Sequence, residues 1–295
     1  GVITGSGDFI NNGTLTMNVG AVTLETRQLQ NNSLLGWEST GALLIADSAV
    51  VINNPSATFE IQNNEKVRPE EDGDGAIVNY GFISKTAGGG ETILELPLNI
   101  YGSISILDGS IISEYGGIHS NAEINCESGG SFEFDSKINL IENTLFSGNG
   151  SVDVHGATLT IEGAGLTVSE NTLMQFTAGI ITLNAPLSVD GELDWSKGRL
   201  QGTDTLSINS LLTLSGSSAK DLSEAVIINS GDFNWSGSGD LILHDGAGIV
   251  NSPGAIIDFQ SNALLDYVLI DGGGWLENYG LIKKSSGIDE SYIDA

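Results

Sequence analysis

The feature that most constrains this chain is a long internal repeat. Residues 37–62 (WESTGALLIADSAVVINNPSATFEIQ) return as residues 235–260 (WSGSGDLILHDGAGIVNSPGAIIDFQ) without a gap, at a constant offset of 198 residues. Nine of the 26 positions are identical: Trp37, Gly41, Leu43, Asp47, Ala49, Asn53, Pro55, Ala57 and Gln62 recur as Trp235, Gly239, Leu241, Asp245, Ala247, Asn251, Pro253, Ala255 and Gln260. After one extra residue the match resumes, IVNYGFISK (77–85) against LENYGLIKK (276–284). A repeat on this scale belongs to an architecture that grows by stacking similar units, so chain length says little about domain count.

The unit that stacks is small. Ser131-Phe132-Glu133-Phe134, Ser151-Val152-Asp153-Val154, Thr158-Leu159-Thr160-Ile161 and Thr205-Leu206-Ser207-Ile208 alternate polar and apolar residues, the period of a strand with one buried face. Only residues 218–226 (SAKDLSEAV) look helical, for one or two turns. Asn pairs at Asn11/Asn12, Asn31/Asn32 and Asn53/Asn54 space the turns by 20 and then 22 residues, and a fourth pair, Asn63/Asn64, breaks the interval. A coil of ~20 residues with three short strands and three turns fits one rung of a parallel β-helix. On that basis 295 residues make about 15 rungs and, at ~4.8 Å each, a rod on the order of 70 Å long.

The expected fold is therefore all-β, a single continuous β-solenoid over 1–295 holding about one and a half copies of a ~200-residue super-repeat, in which 37–85 matches 235–284. Trp, Pro and Asn-Tyr-Gly are expected at its corners, where Asn and Gly tolerate positive φ and Asn side chains can bond from rung to rung. Asn-Gly also suits a hairpin, so an antiparallel meander stays open for any one pair. Residues 4–9 resemble 201–206, so the sequence is expected to begin and end part-way through a super-repeat of a longer chain.

Composition bounds the function. Ten basic against 38 acidic residues give a formal net charge of −28, which repels phosphate backbones and anionic lipid and favours cations, calcium first. The single cysteine, Cys126, cannot form an intrachain disulfide. No apolar run reaches the ~18 residues of a membrane-spanning helix.

Several residue groups invite chemistry. The densest charge cluster, Arg68-Pro69-Glu70-Glu71-Asp72-Gly73-Asp74-Gly75, offers hard oxygen ligands on a turn, so Glu70, Glu71, Asp72 and Asp74 are the candidate calcium ligands. A solvated loop is the simpler reading, because the third Asp/Asn and closing Glu of an EF-hand loop are missing and the second copy lacks the cluster. Trp37, Trp195 and Trp235 sit at a repeat position and are expected to pack between rungs. Trp275, which follows three glycines, breaks that register and is the candidate exposed ring for stacking a sugar. His119, His155 and His244 lack partners at metal-ligand spacing. No Gly-x-Ser-x-Gly occurs, and the Gly-x-Gly pairs lack the third glycine of a dinucleotide site. Only three arginines, Arg27, Arg68 and Arg199, are present to grip an acidic polysaccharide.

Trp-Ser/Glu-x-Ser/Thr-Gly-x-Leu, then Asn-Asn/Ser-Pro-x-Ala, then Asn-Tyr-Gly-x-Ile-x-Lys and the Gly-rich Thr86-Ala87-Gly88-Gly89-Gly90 together resemble the Gly/Asn-rich repeats of very large bacterial cell-surface and adhesin-like proteins. The resemblance covers most of the chain but weakens over 111–147, where the tryptophan marker is missing. It implies a right-handed coil and an extracellular or cell-surface place. The role it implies is non-enzymatic: a rigid stalk, filament or adhesin rod. Expected partners are neighbouring copies or further repeats of the chain, with surface glycans as a further candidate. No cofactor is required, with calcium as a candidate ion, and no nucleic acid is expected. The alternative is a saccharide-binding or polysaccharide-cleaving β-helix.

Overall fold

A computed structural model describes residues 1–70, 74–135, 138–268 and 272–294. Contacts divide the chain into two compact units, Gly1–Leu140 with Thr144–Val152, and Ile141–Asn143 with Asp153–Ala295. Each is built of parallel stacked coils with no helix among the described residues, and the fold is a β-solenoid of about 13 turns, consistent with a right-handed parallel β-helix.

In the first unit three faces recur in order. Val22–Glu25, Leu43–Ala46 and Lys66–Pro69 stack on the first face, Gln28–Asn31, Val50–Asn53 and Ala76–Asn79 on the second, and Leu34–Trp37, Thr58–Ile61 and Phe82–Lys85 on the third. The register advances by 20 to 22 residues at steps such as Phe9↔Leu29, Val22↔Leu43 and Gln28↔Val50. It stretches to 24 at Leu43↔Val67 and to 26 at Val50↔Ala76, the second step carrying the acidic loop. Such stretches reduce the turn count below the 15 of an even 20-residue coil.

Parallel pairing with constant register puts each inward position directly over its equivalent in the next coil. The first unit therefore contains apolar columns such as Leu35, Phe59, Ile83, Ile104 and Ile124, all at most 1% exposed. The second unit repeats the plan: Phe176, Trp195, Leu214, Trp235 and Phe259 form one column. There Trp195 stacks on Phe176 with centroids 5.8 Å apart, and Trp235 on Phe259 at 5.1 Å. Trp37 and Trp235 end their strands with the ring inside the coil, rather than marking a corner. Gly41 and Gly239 recur for a steric reason, since a Cβ on Gly41 would stand 2.5 Å from the Ala21 amide nitrogen and one on Gly239 would overlap the Ser218 carbonyl.

The helix-like stretch 218–226 is extended, with Lys220–Ser223 and Val226–Asn229 as strands. Pairing of Lys220 with Gly198 below and Leu241 above overrides local propensity.

At the second corner the Asn residues form rows. Nδ2 of Asn11 donates to Asn31 Oδ1 at 2.7 Å, Asn31 to Asn53 at 2.8 Å and Asn53 to Asn79 at 2.8 Å. Each Nδ2 spends its other proton on a main-chain carbonyl of the next coil, those of Leu34, Thr58 and Phe82 in turn. The row stops where Ile100 stands over Asn79, and Asn79 Nδ2 turns to the Ser103 and Gly81 carbonyls. In the second unit Asn229, Asn251 and Asn278 form the same row at 2.9 and 2.7 Å. Outside the first row, Asn54 donates to Asn32 and Asn32 to Asn12. Asn31→Leu is expected to lower stability by roughly 2 to 4 kcal/mol, because the Asn53 amide oxygen and the Thr58 carbonyl lose their donor out of reach of water. Asn12→Ser, in the exposed row, is expected to shift the urea midpoint little.

Candidate functional site

The most elaborate polar constellation lies at the corner between the third and first faces. Alternation along Phe82–Lys85 turns Ile83 and Lys85 inward, and Lys85 is 0% exposed. Its column reads Trp37, Ile61, Lys85, Ile106, Cys126, so an ammonium stands between two isoleucines. Four oxygens surround it: the Asn63 carbonyl at 2.7 Å, Thr92 Oγ1 at 3.1 Å, the Ala87 carbonyl at 3.2 Å and Asn64 Oδ1 at 3.3 Å.

The cage is held by its own bonds. Thr92 Oγ1 donates to the Asn63 carbonyl at 2.8 Å, Asn63 Nδ2 donates to the Trp37 carbonyl at 2.8 Å, and the Gly90 amide donates to Asn64 Oδ1 at 3.1 Å. Gly88 adopts φ +78°, and a Cβ there would stand 2.5 Å from Asn64 Oδ1. Burial pulls the Lys85 ammonium below the usual lysine value, with the Asp108 carboxylate pulling the other way.

The second copy carries three of the four contacts. Lys284 Nζ donates to the Ser261 carbonyl, to Asn262 Oδ1 at 3.3 Å and to Ser291 Oγ at 3.0 Å. Ser291 Oγ donates to the Ser261 carbonyl, as Thr92 does to that of Asn63. Asn64, Lys85, Gly88 and Thr92 thus correspond to Asn262, Lys284, Gly287 and Ser291. The difference is burial, for Lys284 is exposed. The Asn63/Asn64 pair, which breaks the turn interval in the sequence, belongs to this other corner. A sequence signal for it exists: Lys, then Gly three residues on, then Thr or Ser four further.

The residues singled out in the sequence lie elsewhere. Glu70 is exposed and its amide donates to the Ile45 carbonyl at 3.0 Å, while Asp74 Oδ1 accepts from Ser48 Oγ at 2.6 Å. Glu71 and Asp72 lie outside the described residues. Among the described residues no three His, Cys, Asp or Glu side chains group as metal ligands. Trp275 is half-buried, its ring lying against Gly248 and its Nε1 donating to the Gly246 carbonyl at 3.1 Å. The aromatics that reach solvent together are Tyr80 and Tyr101, stacked at 5.1 Å in the first unit, with Phe82 beside them in sequence.

In the second unit an open groove of about 550 Å³ is lined by Glu170, Thr172, Asp190, Glu192, Asn209 and Leu211 among others. Desolvation, reinforced by Asp194, pushes the Glu192 carboxyl up, and Asn209 Nδ2 donates to Asp190 Oδ1 at 2.7 Å. No basic residue lines the groove, so it lacks the cation that would hold a polyuronate.

His119 is fully buried against Phe132 and Phe134, with centroids at 6.2 and 5.4 Å. His244 Nε2 instead meets Asp221 Oδ1 at 2.8 Å, and His155 Nδ1 meets Thr177 Oγ1 at 3.1 Å. None of these contacts pairs a histidine with a nucleophile in a groove.

No known protein family, curated protein or solved structure matches the chain.

Burial holds the His119 imidazole at a pKa of about 3, against a weaker opposing pull from the Leu98 carbonyl. The unfolded chain takes up this proton near pH 6.5 and the folded chain only near 3, so the native state loses stability as pH falls through that window. His119→Phe is expected to remove up to about 1.4 kcal/mol of this loss per pH unit. Urea unfolding of both proteins between pH 7 and pH 4 checks it: curves of equal pH slope would count against a neutral buried imidazole.

Proposed function

We propose that this chain is a structural repeat segment of a bacterial surface protein, working outside the cell as a stiff stalk, filament or adhesin rod. The observation that carries the reading is what the two copies keep in common. Of the nine identical positions in the gap-free block, Trp37, Leu43, Ala49, Asn53 and Ala57 are buried, as are Trp235, Leu241, Ala247, Asn251 and Ala255. Asp47 and Asp245 recur where φ is +50° and +54°. Pro55 and Pro253 precede turn residues with φ of +68° and +89°. Repetition therefore preserves the frame and its corners, whereas most other outward residues, the acidic loop included, differ between copies; Gln62/Gln260 and the exposed Tyr80/Tyr279 are kept.

The mechanism is mechanical. Main-chain bonds between coils, apolar columns and buried polar rows resist extension, and a surface of net charge −28 keeps chains apart or lets calcium bridge them. Neighbouring copies, further repeats and surface glycans are the partners in this reading. A glycan-cleaving alternative rests on one feature, the Glu192 groove.

Incubation with a panel of acidic and neutral polysaccharides tests it. No release of reducing ends or unsaturated products is expected, and depolymerisation abolished by Glu192→Gln would replace the structural reading with the enzymatic one. Millimolar calcium is expected to raise the melting temperature and a chelator to reverse the rise. An unchanged melting curve would remove metal from the mechanism.

A further inference from the structure

Beyond the stalk reading, and independent of it, the corner around Lys85 holds the parts of a covalent cross-link. We propose that Lys85 Nζ and Asn64 Cγ join in an intramolecular amide bond, tying the corner after Thr58–Ile61 to the end of Phe82–Lys85 in the next coil.

Position comes first. Nζ donates to Asn64 Oδ1 at 3.3 Å, so the amine already touches the carboxamide whose Cγ it would attack on turning its lone pair toward it. Register fixes both partners, since Lys85 pairs directly over Ile61 and Asn64 follows three residues after Ile61. The loop enclosed by the new bond is the span 64–85, one coil of the solenoid. Holding reactants in such geometry supplies much of what a slow amide exchange otherwise lacks.

Activation comes second. Oδ1 also accepts from the Gly90 amide at 3.1 Å, a fixed main-chain donor where negative charge would develop during attack. Close packing of Gly88 and Gly90 against the Asn64 side chain keeps that donor in place. Among the described residues Asn64 Nδ2, the leaving nitrogen, makes no hydrogen bond. Lys85 is shut from solvent, and burial favours its neutral, nucleophilic form.

The step balances without any other reagent. The Nζ lone pair adds to Cγ, the carbonyl pair moves onto Oδ1, and its return breaks the Cγ–Nδ2 bond. Nζ, neutral at the moment of attack, gives up one of its two protons to the departing nitrogen, so a lysine amine and an asparagine amide become a secondary amide and one ammonia. Nothing is oxidised or reduced.

The second copy places Lys284 and Asn262 in the same relation, and there Asn262 Nδ2 donates to Asp289 Oδ2 at 3.3 Å. Lys284 is solvent-exposed and lacks the enclosure around Lys85, so the pair serves as an internal comparison that stays open.

Intact-mass measurement of the denatured chain is the test. The mass is expected to fall short of the sequence mass by one ammonia, and protease digestion is expected to give a branched peptide joining Asn64 to Lys85. A mass equal to that of the sequence overturns the proposal. So does an ammonia loss that survives in Lys85→Arg, since it would then come from asparagine cyclisation elsewhere. Asn64→Ala is expected to restore the full mass and abolish the branched peptide. The native-chain measurement decides the matter even if neither variant folds.

Discussion

Parallel stacking at ~4.8 Å obliges every inward position to pack against its own equivalent in the coils on either side. The rest of the structure follows from which side chains tolerate that neighbour. Aliphatic and aromatic groups do, and give the Leu35–Phe59–Ile83 and Trp235–Phe259 columns. Asparagine does because a carboxamide carries donors and an acceptor, so each Asn completes the next at 2.7 to 2.9 Å. A charge does not, since like charges at that spacing repel strongly when desolvated. Lys85 accordingly appears once in its column, with Ile61 and Ile106 as neighbours, and takes oxygens from the corner.

The same constraint orders the acidic surface. On the outward side of the third face in the second unit, the residues in register run Gln175, Asp194, Thr213, Asn234, Asp258 and Lys283. Two carboxylates are separated by neutral groups, and the second meets a lysine at 3.3 Å. A chain with 38 acidic residues can thus keep its coils in contact without stacking acid on acid along this line.

Much of this was legible in the sequence. Strand alternation and the ~20-residue turn interval lead directly to parallel coils, because period-two burial and close packing leave so few other arrangements. Corners and cages were harder. Lys85 and Asn64 lie 21 positions apart and meet only through register, so neither looks remarkable in a list of residues, and the Asn63/Asn64 pair reads as an irregularity until a third corner exists to receive it. Residues 218–226 misled for the opposite reason: their helical composition is local, while the partners that hold Lys220–Ser223 extended lie about a coil away on either side. Trp275 looked free after its three glycines, yet Gly248 leaves room for its ring against the coil below.

The asparagine row has a direction. In both units each carboxamide hands its proton forward along the chain, Asn53 to Asn79 and Asn251 to Asn278 alike, while the outer row in the first unit hands it backward. A coil can therefore be inserted or lost wherever the residues on both sides of the seam are asparagines, because the joint re-forms with the same polarity, like tiles cut with tongue and groove. Duplication of a block running from one such asparagine to another requires no compensating change at the join, which gives a chain of this design a simple route to growing longer by copying itself.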